Sequence, residues 1–211
     1  MEVILPFDLR TLILTAGYVG LFFIIFAESG LLIGFFLPGD SLLFTAGFLA
    51  SQGFFHIMPL VFLCVAAAIL GDNAGYAFGR RVGPRIFTRD DSIFFHKTHL
   101  ARAEQFYHTH GGKALMLARF MPVVRTFAPI LAGVGRMRYP TFLLYNIAGA
   151  LAWGAGVMLG GYYLGRVVPN PDRYLFPIIA AIIILSFLPP VIHLLRIKEH
   201  RKKIFSLFRR R

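Results

Sequence analysis

Three stretches of this chain contain no Asp, Glu, Lys or Arg, and each is long enough to cross a lipid bilayer. They are residues Ser41 to Gly71, Tyr139 to Gly165 and Tyr174 to Leu195. A helix needs about 20 mainly apolar residues to cross a hydrocarbon core about 30 Å thick. Only 15% of the 211 residues are charged, against roughly 25% in soluble domains. The sequence therefore predicts an all-α polytopic membrane protein with a single transmembrane domain over residues 1–195.

The net charge of +12 could indicate a nucleic-acid partner, but the positions of the basic residues favour a membrane explanation. Eight of the 22 lie in Arg196 to Arg211 and seven in Arg80 to Lys113. Both clusters flank predicted spans, as the positive-inside rule expects of cytoplasmic segments. We therefore expect no nucleic acid as a partner, a cytoplasmic loop with an interfacial helix over residues 80–113, and a basic cytoplasmic tail over residues 196–211 that attracts anionic lipid.

The chain must cross the bilayer an even number of times between two cytoplasmic clusters. Two spans meet this count, at about Tyr139 to Leu164 and Tyr174 to Leu195. Residues 114–134 must therefore enter and leave the bilayer on the cytoplasmic side. Two prolines and two arginines there suit a re-entrant hairpin buried in protein. The same count gives spans at about 11–27 and 57–78, with a hairpin over 28–51. The start of the chain lacks the features of a cleaved signal peptide, so we expect the first span to be retained. With it, the count gives four spans, two hairpins and both termini in the cytoplasm.

Two short patterns recur at nearly the same offset. Phe36-Leu-Pro38 returns as Phe120-Met-Pro122, and Gly75-Tyr-Ala-Phe-Gly79-Arg80 returns as Gly161-Tyr-Tyr-Leu-Gly165-Arg166. They predict one repeat over about 11–83 and another over about 114–168. Because their final spans run in opposite directions, the repeat would be inverted, as in many secondary transporters. The alternative is that the second pattern is only a common way to end a helix.

Ionisable groups inside a bilayer are costly and are therefore candidates for function. Glu28 and Asp40 bracket the first predicted hairpin, and Arg119 and Arg125 bracket the tip of the second. The acids could simply neutralise the arginines. Alternatively, the arginines could bind a phosphate through their paired donors, and a desolvated acid could take up and release a proton during transport. Residues expected to support these four are Pro38, Gly39, Asp72, Pro122, Thr126 and Asn146.

Other chemistry has little support in the sequence. The seven histidines lack metal-site spacing, and no nucleophile is paired with a base. The single cysteine, Cys64, excludes an intramolecular disulfide and a thiolate metal cluster. We expect no metal, no cofactor and no enzymatic activity.

The motifs resemble those of the DedA family of bacterial inner-membrane proteins. They are Phe36-Leu-Pro-Gly-Asp-Ser-Leu-Leu43, Gly71-Asp-Asn-Ala-Gly-Tyr76, and Ala118-Arg-Phe-Met-Pro-Val-Val-Arg-Thr126. The resemblance covers about residues 20–165. It implies movement of undecaprenyl phosphate to the cytoplasmic leaflet, driven by the proton motive force, and it places the family's functional residues on Glu28, Asp40, Arg119 and Arg125. Related eukaryotic proteins scramble phospholipids.

Two classes of function remain open at this point. The first is a lipid-phosphate flippase of the bacterial inner membrane, with a phosphate site at Arg119 and Arg125 and proton coupling at Glu28 and Asp40. The second is a proton-coupled transporter of a small ion or osmolyte, in which the arginines are only counter-charges. A general phospholipid scramblase is a variant of the first class. The expected partners are membrane lipids, a lipid phosphate and protons, and the oligomeric state is open.

Overall fold

The computed structural model describes residues 9–30, 39–86 and 97–167, and within these ranges the chain forms helices and connecting turns only. This agrees with the predicted all-α class. The elements in chain order are α1 (Leu9–Gly30), α2 (Gly39–Ser51), α3 (Ile57–Ile86), α4 (Lys97–Ala118), α5 (Pro122–Val134), α6 (Tyr139–Ala150), a π-helical turn (Leu151–Ala155) and α7 (Gly156–Val167).

Three of the described segments are long and apolar enough to cross a membrane. They are Leu12–Gly30, Ile57–Val82 and Tyr139–Val167, and they overlap three of the four spans predicted from the sequence. At 1.5 Å per residue, the 30 residues of α3 extend about 45 Å, more than the hydrocarbon core. In contrast, α2 and α5 have 13 residues each and extend only about 20 Å, which is too short to cross it.

Two helices break at a glycine. Gly17 in α1 has φ 57° and ψ −160°, and Gly111 in α4 has φ 60° and ψ −152°. Only glycine adopts such backbone angles without steric cost. The break in α4 separates the predicted interfacial helix, which begins at Lys97, from a short segment that ends at Ala118. The break in α1 falls inside the predicted first span and bends it.

The two short helices pack against the long segments of the opposite half of the chain. A Cβ atom added at Gly47 of α2 would collide with the carbonyl oxygen of Met158 in α7. Likewise, one added at Gly133 of α5 would collide with the carbonyl oxygen of Tyr76 in α3. These contacts require backbones to approach closely, as small residues permit in membrane helices. Thus α2 lies on α7, and α5 lies on α3.

The apolar core has two parts. The larger combines α1, α2, α3 and the middle of the last long segment, and includes Leu21, Leu43, Leu49 and Leu60 among its buried residues. The smaller gathers Tyr76, Leu115, Ala128 and Phe142 around α5. The ends of α1, α2 and α5 meet between them, where the polar residues are concentrated. The predicted last span (174–195), the basic tail (196–211) and the tip of the first hairpin with Pro38 lie outside the described residues.

Candidate functional site

Arg125 occupies the centre of a buried ionic group. It lies in the first turn of α5, which begins at Pro122, and its side chain points towards the facing ends of α1 and α2. One terminal nitrogen donates a hydrogen bond to Asp40 at 2.6 Å, and the other donates to Glu28. Glu28 comes from the end of α1 and Asp40 from the start of α2, so the arginine joins two helices of the first half of the chain to α5 of the second.

Trp153 completes this group. Its indole N–H donates to the same Asp40 oxygen at 2.7 Å, and its ring lies beneath the Arg125 guanidinium, with 4.7 Å from Cζ to the ring centroid. The Arg119 guanidinium lies 6.0 Å from the same centroid. Trp153 is buried and sits in the π-helical turn between α6 and α7, where such turns redirect a side chain and often occur at functional sites.

Arg119 forms a second group beside the first. It lies in the turn between α4 and α5, and one terminal nitrogen donates both to Asp72 of α3 and to the side-chain oxygen of Asn146 in α6. Asn146 in turn donates to the backbone carbonyl of Ile69 at 3.2 Å. The second group therefore connects the turn to two of the segments that are long and apolar enough to cross a membrane.

The charges of the two groups are almost completely withdrawn from solvent. Exposure is 1% for Glu28, 3% for Asp72, 5% for Arg119 and 9% for Arg125, and the Asp40 side chain is 21% exposed. With all five ionised, three acids face two arginines, and the assembly carries one excess negative charge. Two buried polar atoms in it have no hydrogen-bond partner among the described residues, Oε2 of Glu28 and Nε of Arg119.

The remaining predicted residues lie close to these groups in the chain. Gly39 begins α2, and a Cβ atom there would collide with the Glu28 carboxylate. Pro122 begins α5, and Thr126 is buried next to Arg125 in sequence. The structure thus brings Glu28, Asp40 and Arg125 into direct contact, and it brings Arg119 together with Asp72 and Asn146.

Two features differ from the sequence analysis. The sequence suggested that Glu28 and Asp40 would together face both arginines, whereas both acids pair with Arg125 and Arg119 pairs with Asp72. Trp153 was not among the site residues predicted from the sequence. The available signal was its position, because it lies midway along the apolar segment Tyr139–Val167, whereas membrane tryptophans are usually enriched at the two interfaces.

Comparison with known proteins identifies the family. The family model described as the VTT domain matches residues 37–163, which contain four of the five charged residues and Trp153. Protein DedA of Escherichia coli is 45% identical over 184 residues, covering 86% of this chain and 84% of that protein. The chain belongs to the DedA family.

Other members of the DedA family are similar over most of the chain. An uncharacterized membrane protein of Mycobacterium tuberculosis is 43% identical, covering 87% of this chain and 81% of its own length. The inner membrane protein YqjA of Escherichia coli is 35% identical, covering 71% of this chain and 68% of its own length. No solved structure shows significant similarity. Together with its three apolar helices, membership of the DedA family makes this chain a membrane protein.

The arrangement provides two kinds of chemistry. The guanidinium groups are permanently charged and can hold an oxyanion through paired N–H donors. The carboxylates can exchange protons, and each contacts a guanidinium group whose charge it balances only while it is ionised. Among the described residues, no group of three or more His, Cys, Asp and Glu side chains is placed to hold a metal ion.

Proposed function

We propose that this DedA-family protein is a flippase of the bacterial inner membrane that moves a lipid phosphate to the cytoplasmic leaflet. Undecaprenyl phosphate is the proposed substrate, and movement depends on the proton motive force. Arg119 and Arg125 bind the phosphate, while Glu28 and Asp40 exchange protons. The observation that carries this proposal is the pair of adjacent arginine groups. Their five ionisable residues, four of them buried and the Asp40 side chain 21% exposed, are hard to explain by folding alone inside a membrane protein.

The substrate phosphate would compete with the acids for Arg125. Its two terminal nitrogens are occupied by Glu28 and Asp40, and a phosphate needs the same in-plane donors. Asp40 is the more exposed of the two acids, so it is the one that phosphate displaces first. The Nε atom of Arg119, which lacks a partner among the described residues, supplies a further donor for an entering oxyanion.

Charge balance supports proton coupling at this site. The five residues carry an excess negative charge when all are ionised, and an entering phosphate adds at least one more. Uncompensated charge in a low-dielectric interior is strongly unfavourable. Phosphate binding therefore requires protons to be taken up by the acids, and release of the phosphate returns them. This linkage would let a proton gradient drive the lipid in one direction.

The proposed threading is an inverted repeat with two re-entrant hairpins and both termini in the cytoplasm. Support comes from the reciprocal packing of α2 on α7 and α5 on α3, because a twofold exchange of the two repeats converts one contact into the other. The short lengths of α2 and α5, 13 residues each, also repeat between the halves. The hairpins then meet near the midplane, with Arg125 of one on the acids of the other.

A labelling experiment tests this threading. In a Cys64→Ala background, single cysteines replace Phe54, in the turn before α3, and Arg138, in the turn before α6, both exposed. A membrane-impermeant maleimide should label the Phe54 position only from outside and the Arg138 position only from the cytoplasmic side. Labelling of both positions from one side would overturn the inverted arrangement.

The proposed function is tested by reconstitution. Purified protein in proteoliposomes should move undecaprenyl phosphate between leaflets faster when a pH gradient is imposed, and it should not move undecaprenol, which lacks the phosphate. Movement of bulk phospholipid at the same rate would identify a general scramblase instead. Proton flux that requires a small ion or osmolyte, without lipid movement, would identify a solute transporter and leave the arginines as counter-charges.

A further inference from the structure

Trp153 is the point at which the two arginine groups meet. It is the only tryptophan in the chain, and only 3% of its surface is exposed. Its ring centroid lies within 6.0 Å of the Cζ atom of each arginine. No other described side chain contacts both arginines through a ring. An indole that served only to anchor the helix at a membrane interface would lie near an end of its segment, but Trp153 lies in the middle.

The indole N–H and Arg125 share one hydrogen-bond acceptor. Oδ1 of Asp40 receives both the Arg125 donor at 2.6 Å and the Trp153 donor at 2.7 Å. The indole N–H therefore helps to hold on Arg125 the acid that an anion would have to displace. Once Asp40 leaves, the indole N–H loses its acceptor, and a buried donor without a partner is costly.

The geometry of stacking leaves room for an anion. A ring beneath a guanidinium occupies one of its faces, whereas oxyanions bind at its edge, where the N–H groups project. Trp153 can thus remain stacked on Arg125 while the ligand at the edge changes from carboxylate to phosphate. The indole N–H already points to the oxygen that occupies that edge.

We propose that Trp153 is a third donor of the phosphate site: its N–H holds Asp40 on Arg125 while the site is empty and bonds to a phosphate oxygen when phosphate displaces Asp40. This inference rests on the phosphate role proposed above for Arg125. It assigns Trp153 a part in selecting phosphate over the neutral alcohol, in addition to its packing between the arginines. The phosphate recognised in this way could belong to a lipid headgroup or be free in solution.

The single tryptophan makes the first test possible without any variant. Wild-type protein in detergent micelles, which contribute no tryptophan, is titrated with undecaprenyl phosphate, with undecaprenol and with inorganic phosphate, while tryptophan emission is recorded. Emission should change saturably with undecaprenyl phosphate and stay constant with undecaprenol. A response to inorganic phosphate at similar concentrations would assign the site to free phosphate rather than to a headgroup. If undecaprenyl phosphate binds in a parallel native mass spectrometry measurement while emission stays constant, the inference is overturned.

A pair of variants separates the donor from the ring. Trp153→Phe keeps a ring between the arginines but removes the N–H. The wild-type N–H bonds to Asp40 in the empty site and to the more highly charged phosphate in the occupied site. Its loss should therefore weaken the binding of undecaprenyl phosphate by only part of the value of a hydrogen bond to a charged group, about three- to tenfold. Trp153→Leu also removes the stacking and should bind more weakly still. Tyr76→Phe is the matched control, because it removes a buried aromatic donor whose acceptor, the carbonyl oxygen of Met137, lies outside the site. It should leave the affinity unchanged.

The outcomes distinguish this inference from the proposed function. If wild-type protein binds undecaprenyl phosphate and undecaprenol equally, the phosphate role of Arg125 is overturned. If wild-type protein selects the phosphate but Trp153→Phe binds within twofold of it, only the Trp153 inference is overturned. Thermal unfolding of each variant identifies any that is unfolded, and the wild-type emission titration then decides.

Discussion

The two buried arginines differ in what surrounds them. Arg125 is held by two carboxylates and lies over an indole, whereas Arg119 is held by one carboxylate and one amide. The Arg119 group is balanced in charge, while the Arg125 group has one acid more than it needs. Residues of the same type, six positions apart in the sequence, thus occupy one neutral and one negative environment.

Because of this difference, we expect the two groups to have different roles. In the Arg119 group the charges already balance, so proton uptake there is not needed to neutralise an excess acid. The contacts of this group join the α4–α5 turn to α3 and α6. An arginine with two competing acids can release one of them at moderate cost and accept another anion. We therefore expect the Arg119 group to contribute more to positioning the turn, and the Arg125 group to determine the response to protons.

Removal of the charge at position 125 should have the largest effect. Arg125→Leu leaves the buried Glu28 and the partly exposed Asp40 without their cation and should lower the free energy of unfolding by about 3–5 kcal/mol. Since protonation neutralises the orphaned acids, the variant should become more stable as the pH falls. Denaturant unfolding in detergent at several pH values measures both effects. Arg119→Leu leaves only Asp72 without its cation. If that variant loses as much free energy of unfolding as Arg125→Leu, the proposed difference between the two groups is wrong.

Replacement of each arginine by lysine should weaken the binding of undecaprenyl phosphate while the protein remains folded. A lysine keeps the charge but lacks the planar fork, and at position 125 it cannot reproduce the separate bonds to Glu28 and Asp40. We expect Arg125→Lys to bind undecaprenyl phosphate at least about tenfold more weakly, the cost of a lost charged hydrogen bond, and Arg119→Lys to show the same direction with a smaller change. If both lysine variants transport like the wild type, neither arginine clamps phosphate.

Neutral acid analogues should separate coupling from structure. Glu28→Gln should remain folded and bind lipid phosphate, but it should lose the dependence of transport on the pH gradient. We expect Asp40→Asn to show a weaker form of this phenotype, because Asp40, in the first turn of α2, also interacts favourably with the N-terminal dipole of that helix. Binding, thermal stability and transport are measured on the same preparations. Joint loss of stability and binding would mean that the acid is only a counter-ion.

Asp72→Asn provides the corresponding change in the Arg119 group. It keeps a hydrogen-bond acceptor beside Arg119 but removes the charge, and it should lower the free energy of unfolding by about 1–3 kcal/mol. Transport should slow yet keep its response to the pH gradient. A loss of that response would place a proton-exchanging acid in the Arg119 group and remove the distinction between the two regions.

The smallest effect is expected outside both groups. The Tyr139 hydroxyl donates to Asn73 at an exposed position, at 2.9 Å. Tyr139→Phe should change the free energy of unfolding by no more than about 0.5 kcal/mol, as is usual at surfaces, and it should leave transport unchanged. A marked loss of transport in this variant would mean that the site extends further along α3 than the two arginine groups.

The sequence predicted much of this site because charge in an apolar segment is conspicuous. Glu28, Arg119 and Arg125 could be selected without any structure, and Asp72 and Asn146 by the same reasoning. The pairing could not be predicted, since Arg119 meets a residue 47 positions away only when α3 and α6 lie side by side. Trp153 was missed because an aromatic residue in an apolar helix is ordinary, and only the π-helical turn brings its indole to Asp40.

The wide separation of Arg125 and Glu28 also affects how the protein is made. The two residues are 97 positions apart, so at about 5–20 residues per second the ribosome needs roughly 5–20 s to supply the arginine after the acid. In the proposed threading, α1 enters the bilayer during that interval with its carboxylate unpaired. Insertion must therefore proceed with Glu28 protonated, or with α1 retained beside the insertion machinery, until α5 emerges and the two halves of the chain can join.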